Sequence, residues 1–239
     1  MNLIPALSRI RVVLSRPSHP GNIGAAARAM KTMGLERLVL VEPRAFPHPQ
    51  ADARASGARD VLERAVLYSS LEQALAGTVA AAAFTTRPRD LAHPRCTVRE
   101  AARQLLTESA CGDVALVFGT EASGLSAAEL SLCRITAFIP ANPAYPSLNL
   151  AAAVQIAAYE ARLAEEILPP AQDRPPPAVA EDVELFFRHL EAVMISSGFL
   201  DPAQPKRLMR RLRRLFARAR LEKEEVAILR GILNAVDDT

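Results

Sequence analysis

The chain has 239 residues, half of them hydrophobic and 23% charged, with a net charge of +3; this composition excludes disorder and fits one large domain or a medium domain with an appendix. Cys96, Cys111 and Cys133 form no C-x-x-C pair and no zinc-ligand spacing, which argues against a metal site and suits a reducing compartment. No apolar run approaches the roughly 18 residues of a membrane span, and Met1 to Ser8 lacks the basic start and apolar core of a signal peptide, so the expectation is a cytoplasmic protein with no membrane contact.

Apolar runs at Ile10–Leu14, Leu38–Val41, Val66–Tyr68, Val79–Phe84, Val114–Phe118 and Ile135–Ile139 read as strands. Several are near-continuous in Val, Leu, Ile and Ala, as in strands covered on both faces. Ile23–Met33, Asp52–Arg64, Leu71–Ala76, Val98–Ser109 and Ala127–Cys133 read as the helices between them. The alternation predicts an α/β fold with a mostly parallel sheet. An alanine-rich helix follows from Leu148 to Ile167, its small side chains letting another helix approach closely. Five prolines within residues 169–177 then predict an extended linker over 168–178, dividing residues 1–167 from 179–239. Beyond it, three short helices form a small bundle through Phe186, Leu190 and Val193, through Leu208, Leu212 and Leu215 with Met209 and Phe216, and through Val226, Leu229, Leu233 and Val236. Gly198 is expected to end the first of them with a left-handed cap.

Five constellations bear on chemistry. The first strand runs into Pro20-Gly21-Asn22-Ile23-Gly24, with Arg28 further along a helix expected to start near Ile23. That places a Gly-bearing turn at a helix N-terminus, where α/β sheets put ligands and anions, although neither G-x-G-x-x-G nor the P-loop pattern is present. The plainer alternative has Asn22 capping the helix and Arg28 solvated. The strand Val114–Phe118 leads into Gly119-Thr120-Glu121-Ala122-Ser123-Gly124-Leu125, a loop whose backbone could approach a ligand. Ser126 and Glu129 after it form a capping box, which leaves Gly119 and Glu121 unexplained. Three prolines fix the loop from Ile139 to Ser147-Leu148-Asn149, where Ser147 is either a helix cap or a site residue. Thr85-Thr86-Arg87-Pro88-Arg89 follows a strand end, and its arginines read as a phosphate grip or as surface charge. Finally Lys206, Arg207, Arg210, Arg211, Arg213, Arg214, Arg218 and Arg220 put eight cations in fifteen residues with no acid among them, which favours a polyanion partner over a solvated face.

Together and in this order these motifs resemble the SpoU branch of the SPOUT RNA methyltransferases. The resembling residues are Asn22-x-Gly24 with Arg28, then Gly119-x-Glu121-x-x-Gly124-Leu125, then Ser147-Leu148-Asn149. Ala29-Met30-Lys31-Thr32-Met33-Gly34-Leu35, Ala141-Asn142-Pro143 and the basic run around Arg213 to Arg220 narrow the likeness to bacterial enzymes that methylate cytidine or uridine 32 of the tRNA anticodon loop on the ribose 2′-oxygen. The resemblance implies a parallel sheet with a C-terminal trefoil knot, S-adenosylmethionine as cofactor, tRNA as partner and a homodimer. It implies a cofactor pocket at Thr85, Thr86, Gly119, Ile139, Ser147 and Leu148, and RNA contacts by Arg87, Arg89 and the basic run. It also implies that Arg28 takes the 2′-hydroxyl proton or only grips phosphate, with Asn22, Glu121, Ser147 and Asn149 positioning the reactants. Two alternatives stay open: a methyltransferase of ribosomal RNA, and a noncatalytic RNA-binding module on the same fold. The basic appendix is C-terminal rather than N-terminal, which favours tRNA over ribosomal RNA.

Overall fold

The computed structural model describes residues 6–86, 95–167 and 175–237. Seven strands, β1 (Ile10–Ser15), β2 (Arg37–Val41), β3 (Val66–Tyr68), β4 (Thr78–Phe84), β5 (Arg95–Thr97), β6 (Asp113–Phe118) and β7 (Ile135–Phe138), form one parallel sheet in the order β3-β2-β1-β6-β4-β7-β5. Successive side chains on a strand face opposite sides, and the core divides accordingly. Val12, Leu14, Leu38, Leu40, Leu116 and Phe118 lie in one apolar cluster, while Val13, Val39, Val41, Ala115 and Val117 lie in the other. Both faces of the central strands are therefore covered, as their unbroken apolar runs require, while edge strand β3 leaves Val66 and Leu67 half exposed.

The first cluster is closed by α1 (Pro20–Thr32), α2 (Pro49–Ala55), α3 (Arg59–Glu63), α5 (Val98–Ser109) and α7 (Leu150–Glu166). The second is closed by α4 (Leu71–Leu75) and α6 (Ala127–Ser131). The alanines of α7 do admit close neighbours: Ala157, Ala158 and Ala161 are buried, and α7 packs on α1 and α5. At Gly24 the approach is closer still. A Cβ there would lie 2.0 Å from the carbonyl oxygen of Ala51, so this glycine lets α1 and α2 touch backbone to backbone.

Several local expectations need correction. Helix α1 starts at Pro20 with His19 as its N-cap residue, so Asn22 sits inside the first turn and does not cap it. Proline at the first helical positions is favourable because its missing N–H would have no partner there. The helix expected over Asp52–Arg64 is broken into α2, a 3-10 turn at Ser56–Ala58, and α3, with Ser56 at φ 52°. Helix α7 starts at Leu150 and is capped by Asn149, not Ser147. Strand β5, Arg95-Cys96-Thr97, has no apolar run and was not foreseen. Ile139 lies just beyond β7.

After residues 168–174, which lie outside the described part, come α8 (Ala180–Ser196), α9 (Leu208–Ala219) and α10 (Lys223–Asp237). They enclose Ala178, Phe186, Phe187 and Val226. The rings of Phe186, Phe187 and Phe216 pack on one another at 5.0–5.9 Å. Gly198 does end α8 in the left-handed region, at φ 74°. Leu215 and Val236, expected in the bundle core, are instead half exposed. Pro177 bridges to Glu222, so the last residues of the expected linker are tied to the corner between α9 and α10. None of the described helices is long and apolar enough to cross a membrane.

Candidate active-site cleft

The carboxyl ends of β1, β4, β6 and β7 sit side by side, and the loops leaving them meet there. In open parallel sheets this is where ligands bind. The centre of the meeting point is Glu121, on the loop after β6. One of its oxygens accepts from the Ser18 backbone N–H at 2.8 Å and the Ser18 hydroxyl at 2.7 Å. The other accepts from the His19 N–H at 3.2 Å and from the Asn22 side-chain amide at 2.7 Å. Burial pushes the Glu121 carboxyl up, but the hydrogen bonds from Asn22 and Ser18 outweigh it and hold the group at about 2. It is ionised at neutral pH and acts only as an acceptor.

Asn22 extends this arrangement. Its side-chain oxygen accepts from Nδ2 of Asn149 at 2.9 Å. Asn149 in turn uses Oδ1 to cap α7, accepting from the N–H groups of Ala151 at 2.9 Å and Ala152 at 3.4 Å. Because Glu121 can only accept, the orientation of both amides is fixed along the chain of bonds. Three loops, after β1, β6 and β7, are thus locked together by Glu121, Asn22 and Asn149.

A second carboxylate does the same for the start of the β1–α1 turn. Glu129 forms the expected capping box with Ser126. It also accepts from the Ser15 hydroxyl and pairs with Arg16 at 2.8 Å. Burial raises its pKa, and the bonds from Ser15 and Ser126 together with Arg16 bring it below the ordinary value. Ser15, Arg16, Ser18 and His19 belong to the informative stretch after the first strand, but the sequence assigns none of them a role. Their role depends on partners about a hundred residues away, and no local pattern encodes that.

Beside this framework lies an open cleft with about 770 Å³ of empty space. Thr85, Thr86, Gly119, Ile139, Ser147 and Leu148, the residues implied for the cofactor, all line it, with Phe84, Phe118, Leu150 and the loop from Thr120 to Gly124. Phe84 and Phe118 stack with ring centroids 4.7 Å apart. The lining offers an apolar wall for a purine and a thioether chain. Its hydroxyls and loop backbone offer polar contacts for a ribose and an amino-acid terminus, so the donor set fits S-adenosylmethionine. Gly119 serves the loop itself: a Cβ there would lie 2.2 Å from the carbonyl carbon of Gly124, so its absence lets the loop fold back on itself.

Arg28 stands apart. It lies eight residues beyond the start of α1, about 12 Å along the axis at a rise of 1.5 Å per residue. It is exposed and makes no hydrogen bond or ion pair with another described residue. Arg87 and Arg89 lie outside the described residues.

The basic run divides into two groups. Arg213 grips Glu184 with two nitrogens and lies 4.3 Å over the ring of Phe187. Arg220 makes a two-nitrogen contact with buried Glu108 at 2.8 and 2.9 Å, and Arg134 shares that carboxylate at 2.9 Å. These two arginines hold the C-terminal helices together and onto α5. Lys206, Arg207, Arg210, Arg211 and Arg218 are exposed, and Arg214 is partly so.

Residues 9–159 match the model of the SpoU rRNA methylase family, and residues 181–239 match that of the C-terminal domain of the tRNA methyltransferase TrmJ. The tRNA (cytidine/uridine/adenosine-2′-O-)-methyltransferase TrmJ of Pseudomonas aeruginosa is 48% identical, over 95% of this chain and 93% of its own. The crystal structure of TrmJ from Z. mobilis superposes with a TM-score of 0.85 at 34% identity, covering 98% of this chain and 100% of that one. A structure bearing on 2-OH methylation of C/U34 on tRNA gives 0.52 at 28% identity, covering 64% of this chain and 93% of that one.

Proposed function

The chain belongs to the SpoU rRNA methylase family, and we propose that it methylates the ribose 2′-oxygen of cytidine or uridine 32 in the anticodon loop of tRNA, with S-adenosylmethionine as methyl donor. The observation that carries this reading is the lock of Glu121, Asn22 and Asn149 beside a cleft lined by Thr85, Thr86, Gly119, Ile139, Ser147 and Leu148. It works in the cytoplasm, as a homodimer whose chain follows a trefoil path through the loops at the cleft. Tyr145 and Leu148, exposed just before α7, and Tyr159, exposed further along it, supply apolar surface for that dimer. Residues 1–167 form the catalytic unit and 179–239 an RNA-holding unit.

S-adenosylmethionine supplies an electrophilic methyl group on a sulfonium. The chain must hold the 2′-hydroxyl in line with it and help its proton leave. Glu121 is held at about 2 and its oxygens already accept four hydrogen bonds from Ser18, His19 and Asn22, so it is a poor proton acceptor and a positioning group rather than the base. Asn22 and Asn149 set the β1–α1 and β7–α7 loops at a fixed separation, and Ser147 faces the same cleft. Arg28 is exposed on α1 and, unlike Lys31, has no ion-pair partner among the described residues. A guanidinium gives up its proton reluctantly and is a costly base, so gripping the phosphate beside the reacting ribose is the role its exposure favours.

Transfer of label from S-adenosylmethionine to unmodified tRNA, followed by mapping of the modified nucleotide, tests the proposal. Label on the 2′-oxygen of residue 32 is expected. Label at residue 34, or only on ribosomal RNA, overturns the substrate; failure to bind the cofactor leaves a noncatalytic RNA-binding module. Arg28→Ala should abolish turnover with cofactor binding intact, and near-normal turnover in that variant removes Arg28 from both roles.

A further inference from the structure

Beyond residue 178 the chain has four phenylalanines. Phe186, Phe187 and Phe216 pack ring to ring in the bundle core. Phe199 is 72% exposed. Its exposure is imposed by the backbone on both sides. Gly198 turns the chain out of α8 at φ 74°, and Leu200 is buried, its N–H bonded to the Met194 carbonyl at 2.8 Å. A ring between two such fixed points is held outward at little further cost in conformational entropy.

Phe199 lines one open groove with Lys206 and Arg211, where the chain enters α9. The only acid in that lining is Asp201, and its carboxylate is engaged by the Ala203 N–H at 2.8 Å. Neither Lys206 nor Arg211 has a carboxylate partner among the described residues. The groove shares no lining residue with the cleft at Glu121. A flat apolar ring beside two unneutralised cations matches a ligand that has a π-face and a phosphate in neighbouring positions. That describes an unpaired nucleotide.

We propose that Phe199 stacks on an unpaired base of the RNA substrate, other than the nucleotide being methylated, while Lys206 and Arg211 hold its flanking phosphates. This rests on the reading of the chain as an RNA-binding enzyme and adds to it a second recognition point, one that senses single-stranded character and not charge alone.

The full chain has no tryptophan, so Phe199→Trp places a single tryptophan at the site, read selectively by excitation at the red edge of its absorption. Titration with unmodified tRNA should quench its emission. A tryptophan placed at Ile228, 63% exposed on α10, should keep its emission under the same titration. Phe199→Ala should weaken tRNA binding by roughly 5- to 150-fold, with the dependence of log K on log salt unchanged, because stacking releases no counterions. Arg211→Ala should instead reduce that slope by about 0.7 to 0.9. If Phe199→Ala binds like the parent while Arg211→Ala loses slope, stacking is wrong and RNA binding stands. If the parent chain binds no tRNA, both readings fail together. Quenching by anionic phosphatidylserine vesicles as strong as that by tRNA also overturns the stacking site.

Discussion

Glu121 receives four hydrogen bonds from Ser18, His19 and Asn22, whereas along α9 the guanidiniums of Arg210, Arg211 and Arg218 stay in solvent. The cleft is built from polar groups that satisfy one another, so its loops have one arrangement before any ligand arrives. The α9 surface is built from cations left unsatisfied, so it holds a polyanion without dictating its position closely. Chemistry needs the first kind of surface, because a small displacement of reacting groups costs large factors in rate. Holding a large RNA needs only the second.

The contrast is broken most severely by Glu121→Gln, which replaces an acceptor-only group with one whose amide opposes the amide of Asn22. Turnover should fall about 100-fold or more, measured as single-turnover methyl transfer at saturating tRNA, because the β1–α1 loop loses its anchor. Near-parental turnover would mean that the lock is not needed for positioning.

Where the two regions meet, Glu108→Ala should destabilise the chain by about 2 to 3 kcal/mol in denaturant unfolding. It leaves Arg134 and Arg220 without the buried carboxylate that joins the C-terminal helices to α5. No change in the unfolding midpoint would show that the helices are held by apolar contact alone.

A finer test is the Glu121 titration. Its carboxyl is held at about 2, below an ordinary 4.5. Stability from this group is therefore fully present above about 4.5 and is lost as the pH falls through about 2. The carbon-13 shift of that carboxyl should move with a midpoint of about 2. A midpoint near 4.5 would mean that the four donors do not hold it in solution. Smallest of all, Arg220→Ala should leave the salt dependence of tRNA binding unchanged, since that guanidinium already faces Glu108. A slope lowered as in Arg211→Ala would return Arg220 to the RNA-contacting set.

The sheet was legible because buried parallel strands write themselves as apolar runs; β5 was not, since Arg95-Cys96-Thr97 pairs only by β7 lying beside it. The start of α1 could have been read from Pro20, a residue suited to a first helical turn. The break at Ser56-Gly57 inside an otherwise helical pattern carried a weaker signal of the same kind. The cleft residues emerged from motif resemblance rather than periodicity, and nothing local to Glu121 announces that Ser18, His19 and Asn22 will surround it. The division of the arginines was equally hidden. Arg211 and Arg213 look alike in sequence, and only the position of Glu184 on α8 separates a docking residue from an exposed one.

The most direct test compares kcat and tRNA KM for Glu121→Gln with those for a combined Arg210→Ala, Arg211→Ala, Arg218→Ala chain. The account predicts that kcat collapses in the first with little change in KM. In the second, KM should rise several-fold and depend less steeply on salt while kcat is kept. A loss of kcat in the arginine variant, with Glu121→Gln changing only KM, would contradict the division of labour between cleft and helix.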